Sequence, residues 1–310
     1  MRRYLLFIII TVSVVLFSHL FSVISFRNVV GQFSVDPTDK PITDRLSSDN
    51  RELKTDNRIH PLLFYDEQAF LRSTTNAKPF ISSPLGGGII PHHLVASDNI
   101  ANFFKTIQPL SPSTLVLIGP NHYEKGNFDV LTSLSSWDTP NGIVSSNAAI
   151  IQELVSKNMA HTDEDVVEHD HSVASFPPFI KYFFPEAKVI PLILKRGFSI
   201  TDAEKLSDFL SQLPSDTFFI ASVDFSHYLP KEIAMQKDVI TQKVIESRNY
   251  EELFRMGSDY LDSPSSIIVL MKTMEKLNTT HMQFFAHTNS ADYSFSDQKS
   301  TTSHFVVGFY

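Results

Sequence analysis

The sequence predicts an α/β fold: one sandwich domain with a mainly parallel central sheet, preceded by an N-terminal transmembrane helix. Three observations lead there. Short apolar runs rich in β-branched residues (LGGGIIP, TLVLIGP, AKVIPLIL and TFFIASVDF) recur between amphipathic stretches from residue 60 onward. Strands that alternate with helices imply parallel pairing under a helical cover on both faces. The first 27 residues, MRRYLLFIIITVSVVLFSHLFSVISFR, are apolar after an arginine pair, broken only by small hydroxyls and His19.

Taken in order, residues 1–27 are long enough to cross a bilayer, which needs about 20 apolar residues. A signal-peptide core is shorter, about 7–15 residues, and ends in a small-residue cleavage pattern that is absent here. An uncleaved anchor is expected, with a cleaved signal as the alternative. Arg2 and Arg3 would keep the N-terminus cytoplasmic and place the rest outside the cytoplasm. Residues 28–57 are polar and charged, too poor in apolar groups to offset their ordering entropy, and read as a disordered tether. Packing signals begin at HPLLFYDEQAFL, and a single domain over 58–310 accounts for the rest of the chain. Helices are expected over 97–107, 146–158, 173–183, 201–213, 231–247 and 265–277. SDNIANFF opens with a Ser/Asp cap signal, and TDAEKLSDFLSQL with a threonine cap and a glutamate three residues on. The final SHFVVGFY is another strand, at an edge or inserted in the sheet.

With 310 residues, 42% of them hydrophobic, the chain can bury one large core or two small ones. A net charge of −8 without a Lys/Arg stripe sets nucleic acid aside as a partner. There is no cysteine, so no disulfide, thiolate nucleophile or Cys-based zinc site exists. Any metal must be held by His, Asp or Glu, and the chain carries 12 histidines.

The histidines fall where strands end. GGGII is followed by Pro91-His92-His93, LVLIG by Pro120-Asn121-His122-Tyr123, and FFIAS by Val223-Asp224-Phe225-Ser226-His227. In open α/β sheets ligands bind at the carboxyl ends of the strands, so three parallel strands bring these loops to one edge. Glycines 86–88 permit close backbone approach, an unusual turn or a flexible loop. DEDVVEHDHSVASFPPF, with His169 and His171, is either a solvated acidic loop or a segment that presents one histidine to the site. His161, His281, His287 and His304 have no such context and read as ordinary residues. Trp137 reads as packing or a site wall.

Four motifs occur in a recognisable order: PHH at 91–93, IGPNHY at 118–123, EHDHS at 168–172 and SVDFSHY at 222–228. With FYDEQAFL at 64–71 and the ending HTNSADYSFSDQKSTTSHFVVGFY, the chain resembles the Memo family, including the AmmeMemoRadiSam system protein B, over roughly residues 60–310. The resemblance implies an α/β sandwich akin to the class III extradiol dioxygenases, which use non-haem iron. It implies His92 and His122 as metal ligands, with Asp262 of YLDSPSSIIVLMKTM as the third, and His171, Asp224 and His227 as catalytic pocket residues. The sequence departs from the family where HLV follows His92, which makes His93 a rival ligand, although His93 is expected to point to solvent or packing. It also lacks an acidic residue two positions after Ser172, and it has a carboxylate where some members have cysteine.

Two imidazoles and a carboxylate suit iron(II) oxygen chemistry, with copper as an alternative redox ion, and they equally suit a catalytic zinc. His171 and His227 are candidate acid–base groups. Three functions are consistent with these residues: a metal-dependent redox enzyme acting on a small molecule, a zinc-dependent hydrolase, or a non-catalytic membrane-tethered metal- or peptide-binding module.

Overall fold

Apart from Lys188 and Asp224 near their ends, the longest predicted strands are apolar or small throughout, and in the structure their apolar residues face two cores in alternation. The structure, a computed structural model, describes residues 58–293 and 298–310. These residues all fall within one compact unit, Leu53–Tyr310. In chain order they form β1 (Ile59–His60), α1 (Glu67–Thr75), β2 (Gly87–Ile90), α2 (Ser97–Ile107), β3 (Thr114–Pro120), β4 (Val130–Thr132), β5 (Ser136–Trp137) and α3 (Ala148–Ser156). Then come β6 (His161–Thr162), α4 (Glu164–Glu168), α5 (His171–Ala174), α6 (Pro177–Phe183), β7 (Lys188–Leu194), α7 (Ile200–Leu210), β8 (Thr217–Ser222) and β9 (Phe225–Leu229). The remainder is α8 (Lys231–Glu246), α9 (Tyr250–Arg255), α10 (Pro264–Lys276), β10 (Met282–Asn289) and β11 (Thr301–Phe309), with short 3-10 turns between elements.

The main sheet runs β10–β11–β2–β8–β3–β7–β4–β6, with β9 also paired to β11. Its centre is parallel, as expected: β2 pairs β8, β8 pairs β3 and β3 pairs β7. Its flanks are not. β4 runs antiparallel to β7, and β11 runs antiparallel to β2, β9 and β10. The sheet is therefore mixed; of the antiparallel pairs only β10 and β11 are consecutive strands with no α-helix between them. β11 is inserted between β10 and β2, and β10 takes the edge.

Successive strand residues point to opposite faces. Val116 and Ile118 of β3, Ile190 and Leu192 of β7 and Phe219 of β8 pack with α3, α7, α8, α9 and α10. Leu115, Leu117, Val189, Ile193 and Phe218 pack with α1, α2 and α6 on the other face. Gly88 shows what the glycine run is for: a Cβ there would lie 2.2 Å from the Phe103 ring. Close approach of α2, not a flexible loop, is the reason for glycine.

Several local expectations shift. The helix expected over 173–183 is broken into α5 and α6, because Pro177 and Pro178 lack the N–H groups a continuous helix needs and instead open a new one. The cap of α7 is Ser199 rather than Thr201, and α2 begins after Ala96 with no side-chain cap. The membrane expectation is corrected: among the described residues no helix is long and apolar enough to cross a membrane. The span expected over 1–27 and the tether over 28–57 lie outside the described residues. An N-terminal transmembrane helix and a membrane-anchored, extracytoplasmic domain are accordingly not retained.

Candidate metal centre

β2, β8 and β3 lie side by side and run the same way, so the residues that follow them meet at one edge of the sheet. The β2 loop delivers His92 and His93, the β3 loop His122, and the β8 loop Asp224. Two further segments complete the site. Asp170 and His171 stand at the start of α5, and Asp262 precedes α10. Asp262 is tied to the β8 loop by paired backbone contacts: its N–H donates to the Asp224 carbonyl at 3.1 Å, and Leu261 bridges Phe225.

His92 is fully buried, and its proton arrangement follows from its neighbours. The Ser222 hydroxyl donates to the Ser172 carbonyl at 2.5 Å, so its oxygen is left to accept from His92 Nδ1 at 2.9 Å. That assignment gives Nδ1 the proton and turns Nε2 into the site. There Nε2 lies 3.2 Å from Asp262 Oδ2 and 3.5 Å from Asp224 Oδ2. Asp224 Oδ1 also accepts the His92 backbone N–H at 3.2 Å.

His122 is oriented in the same way by a residue that no sequence motif singled out as functional. Asp170, completely buried, accepts from His122 Nδ1 and from the His122 backbone N–H, each at 2.8 Å, and caps α5 through Ser172 N–H at 3.0 Å. Nε2 then faces Asp262 Oδ2 at 3.7 Å. A carboxylate behind a ligand imidazole is the usual orienting partner in metal sites. Gly119 makes room for this arrangement, since a Cβ there would lie 2.6 Å from Ser172 Oγ.

The donor atoms test the fit of a metal directly. His92 Nε2 and Asp262 Oδ1 are buried without a hydrogen-bond partner. Two donors bound at about 2.1 Å to one ion stand roughly 3.0–3.4 Å apart, close to the His92–Asp262 separation. Donors lying within 4.8 Å of one another form three groups: His92, His122 and His171; His92, Asp224 and Asp262; and His93, Asp224 and His304. The expected set of His92, His122 and Asp262 is thus spread over two groups that share His92. The site fits a divalent ion, with His171 and Asp224 as additional donors in reach.

Charge is balanced around these groups. Burial disfavours the His92 imidazolium, but Asp224 and Asp262 outweigh it and raise the pKa. Burial likewise lowers His122, but Asp170 and Asp262 lift it to about 10. Asp262, Asp224 and Asp170 are raised by burial and lowered further by the imidazoles beside them, with a net downward shift for each. His171, stacked on His122 at 4.0 Å, is pushed down to about 4 by burial and by His92 and His122. A metal ion bound here would take the place of any proton on the two Nε2 atoms and bring its own positive charge to the carboxylates.

These groups open into a cleft of about 380 Å³ lined by His93, His122, His171, Arg196, His227 and Tyr228, among others. His227 is at the cleft with its Nδ1 buried and unpartnered. Tyr228 is exposed and holds φ +57, a backbone region uncommon for aromatic residues. His169 is exposed, and Trp137 packs on His60 at 4.3 Å outside the cleft lining.

Two expectations about histidines are corrected. His304 is no ordinary residue: it is fully buried, with Nε2 3.2 Å from His93 Nδ1. His93 therefore meets another histidine rather than only solvent or packing. Asp170 had one signal in the sequence, its place between the two histidines of EHDHS. His304 had none, because only the insertion of β11 beside β2 brings it to the site.

The Memo-like protein family matches residues 67–306 of this chain. A MEMO1 family protein of Metallosphaera sedula is 26% identical over 231 residues, covering 71% of this chain and 82% of that protein. One of Pyrobaculum aerophilum is 26% identical over 219 residues, covering 67% and 78%. A crystal structure of an uncharacterized protein from Escherichia coli K12 superposes with a TM-score of 0.46 at 12% identity, covering 72% of this chain and 99% of that one. With its motifs in order along one α/β domain and the match spanning most of its length, this chain belongs to the Memo family.

Proposed function

We propose that the chain is a metal-dependent enzyme of the non-haem iron type, acting on a small oxidisable molecule, with His92, His122 and Asp262 holding the ion. What carries this reading is the buried, unpartnered His92 Nε2 aimed at Asp262, beside an imidazole locked by Asp170 with its own Nε2 facing the same carboxylate. Two imidazoles and a carboxylate with open positions are the ligand set of iron(II) oxygenases. A ferrous ion held there would supply Lewis acidity and a path for electrons from substrate to dioxygen. The protein supplies the rest. His171, kept neutral by its surroundings, is placed to accept a proton from a substrate hydroxyl in the cleft. Asp170 and Ser222 hold the two ligand imidazoles in one tautomer, and Arg196 and Tyr228 line the entrance.

The test uses the full chain, stripped of metal and reconstituted with iron(II) under anaerobic conditions. The unmodified chain is expected to retain iron that His92→Ala and Asp262→Ala lose, and to take up dioxygen with one or more of a panel of catechols. Failure to retain iron overturns the reading. Zinc retention with oxygen-independent ester or amide hydrolysis replaces it with a hydrolase of the same ligand set.

A further inference from the structure

We infer that the pocket is built for two cations, and that His93, Asp224 and His304 form a second metal site sharing Asp224 with the first. The second site rests on the first only through that shared carboxylate. One nitrogen from each of His93 and His304 and one oxygen of Asp224 lie within 4.8 Å of one another. His93 Nδ1 and His304 Nε2 stand 3.2 Å apart, within the roughly 3.0–3.4 Å that two nitrogens span on one ion with bonds of about 2.1 Å.

Burial argues for a ligand rather than a bare histidine pair. His304 is fully buried on β11, and its two ring nitrogens have a single partner between them, because Nδ1 makes no hydrogen bond. Its other nitrogen, Nε2, has only a second imidazole to meet, and an ion between the two rings would bond both facing nitrogens where a bare pair must share one proton. His304 is followed on its strand by Phe305 and Val306, one from each core, and an apolar side chain in its buried place would carry no polar atoms to satisfy.

Asp224 is placed to bridge. Its Oδ2 lies 3.5 Å from His92 Nε2 on one side, and it belongs to the group with His93 and His304 on the other. A carboxylate between two ions about 3.5–4 Å apart is the usual arrangement of two-metal sites. His93 and Asp224 both line the main cleft, so an ion can reach the second site from the same opening as the first. Two imidazoles and one carboxylate select a borderline divalent ion such as zinc, cobalt or copper over magnesium or calcium.

Cobalt(II) is the probe. The full chain is stripped with chelator, checked for folding by circular dichroism, loaded with cobalt(II) and freed of excess, and its metal content is measured by mass spectrometry. Two cobalt ions per unmodified chain are expected. His93→Ala and His304→Gln should each keep one, His122→Ala should keep the other, and His93→Ala with His122→Ala should keep none. His93 is only partly buried, so its variant carries the test if the His304 variant does not fold. One ion per chain, unaffected by His93→Ala and lost in His122→Ala, overturns the second site and leaves the first. One ion lost in His93→Ala and kept in His122→Ala supports the second site and overturns the first. No retained cobalt overturns both.

Discussion

In the proposed centre His122 depends on Asp170, which grips the ring and the backbone of the same residue at 2.8 Å each. Replacing Asp170 with Asn keeps the shape but permits the amide to present its NH₂ to Nδ1, which frees the ring to change tautomer. Orienting partners of this kind are worth about 10–100-fold in metal affinity. Asp170→Asn should therefore weaken iron or cobalt binding by that factor while the far-UV circular dichroism is unchanged, as read by titration against a competing chelator. An unchanged affinity would remove Asp170 from the site. At this scale the sequence was readable where a residue sits in a strand-end loop, as His92, His122 and Asp224 do. It was silent where burial decides, as for Ser222, whose hydroxyl matters only because the Ser172 carbonyl takes its proton.

The elements are held at the spacing the site needs by residues with little or no side chain. Gly119 on β3 lies under α5, with Ser172 Oγ bonded to the Pro120 carbonyl at 2.8 Å. A methyl group at 119 would stand 2.7 Å from Ser172 Cβ, so α5 must lift and carry Asp170 and His171 with it. Overpacking of this kind costs about 1–3 kcal/mol. Gly119→Ala should lower the urea midpoint accordingly and weaken metal binding in the same protein, whereas a purely local strain would lower stability alone. Helix positions were largely legible, because apolar spacing marks a buried face: 231–247 and 265–277 differ from α8 and α10 by a residue at the ends. The break between α5 and α6 was written in Pro177 and Pro178 but competes with an apolar run that continues through them. The antiparallel flanks were not legible, since a strand's direction depends on its connection and not on its own residues.

Across the whole molecule, a second polar cluster ties the start of the domain to the far side of the sheet. Buried His60 faces Glu164 at 3.1 Å and Glu168 at 2.8 Å, and Arg58 pairs with Glu168 at 2.7 Å. Glu164 also accepts from the Ser133 hydroxyl and from Leu134 N–H. Burial alone would raise the Glu164 carboxyl, but the bonds from His60, Ser133 and Leu134 bring it down from 4.5 to about 2. A group depressed on folding stabilises above its unfolded pKa and loses that contribution as pH falls through the folded one. The contribution, roughly 3 kcal/mol at most, is therefore intact above about pH 4.5 and fades toward pH 2. Urea midpoints of the unmodified chain and Glu164→Gln should differ most at pH 7, and the gap should narrow steadily below pH 4.5 toward pH 2. A constant gap would mean that ionisation of Glu164 is not what stabilises the cluster.

The place of β11 has a consequence for how the domain comes together. It lies between β10 and β2, and the pair His93 and His304 is separated by 211 residues of chain. β2 can pair with β8 once that strand exists, but its other edge waits for β11. Contacts so distant in sequence slow folding, and an unpaired apolar edge is where partly folded chains associate. During synthesis the Gly87–Ile90 edge is thus the long-lived exposed surface, and β11 is the strand that retires it.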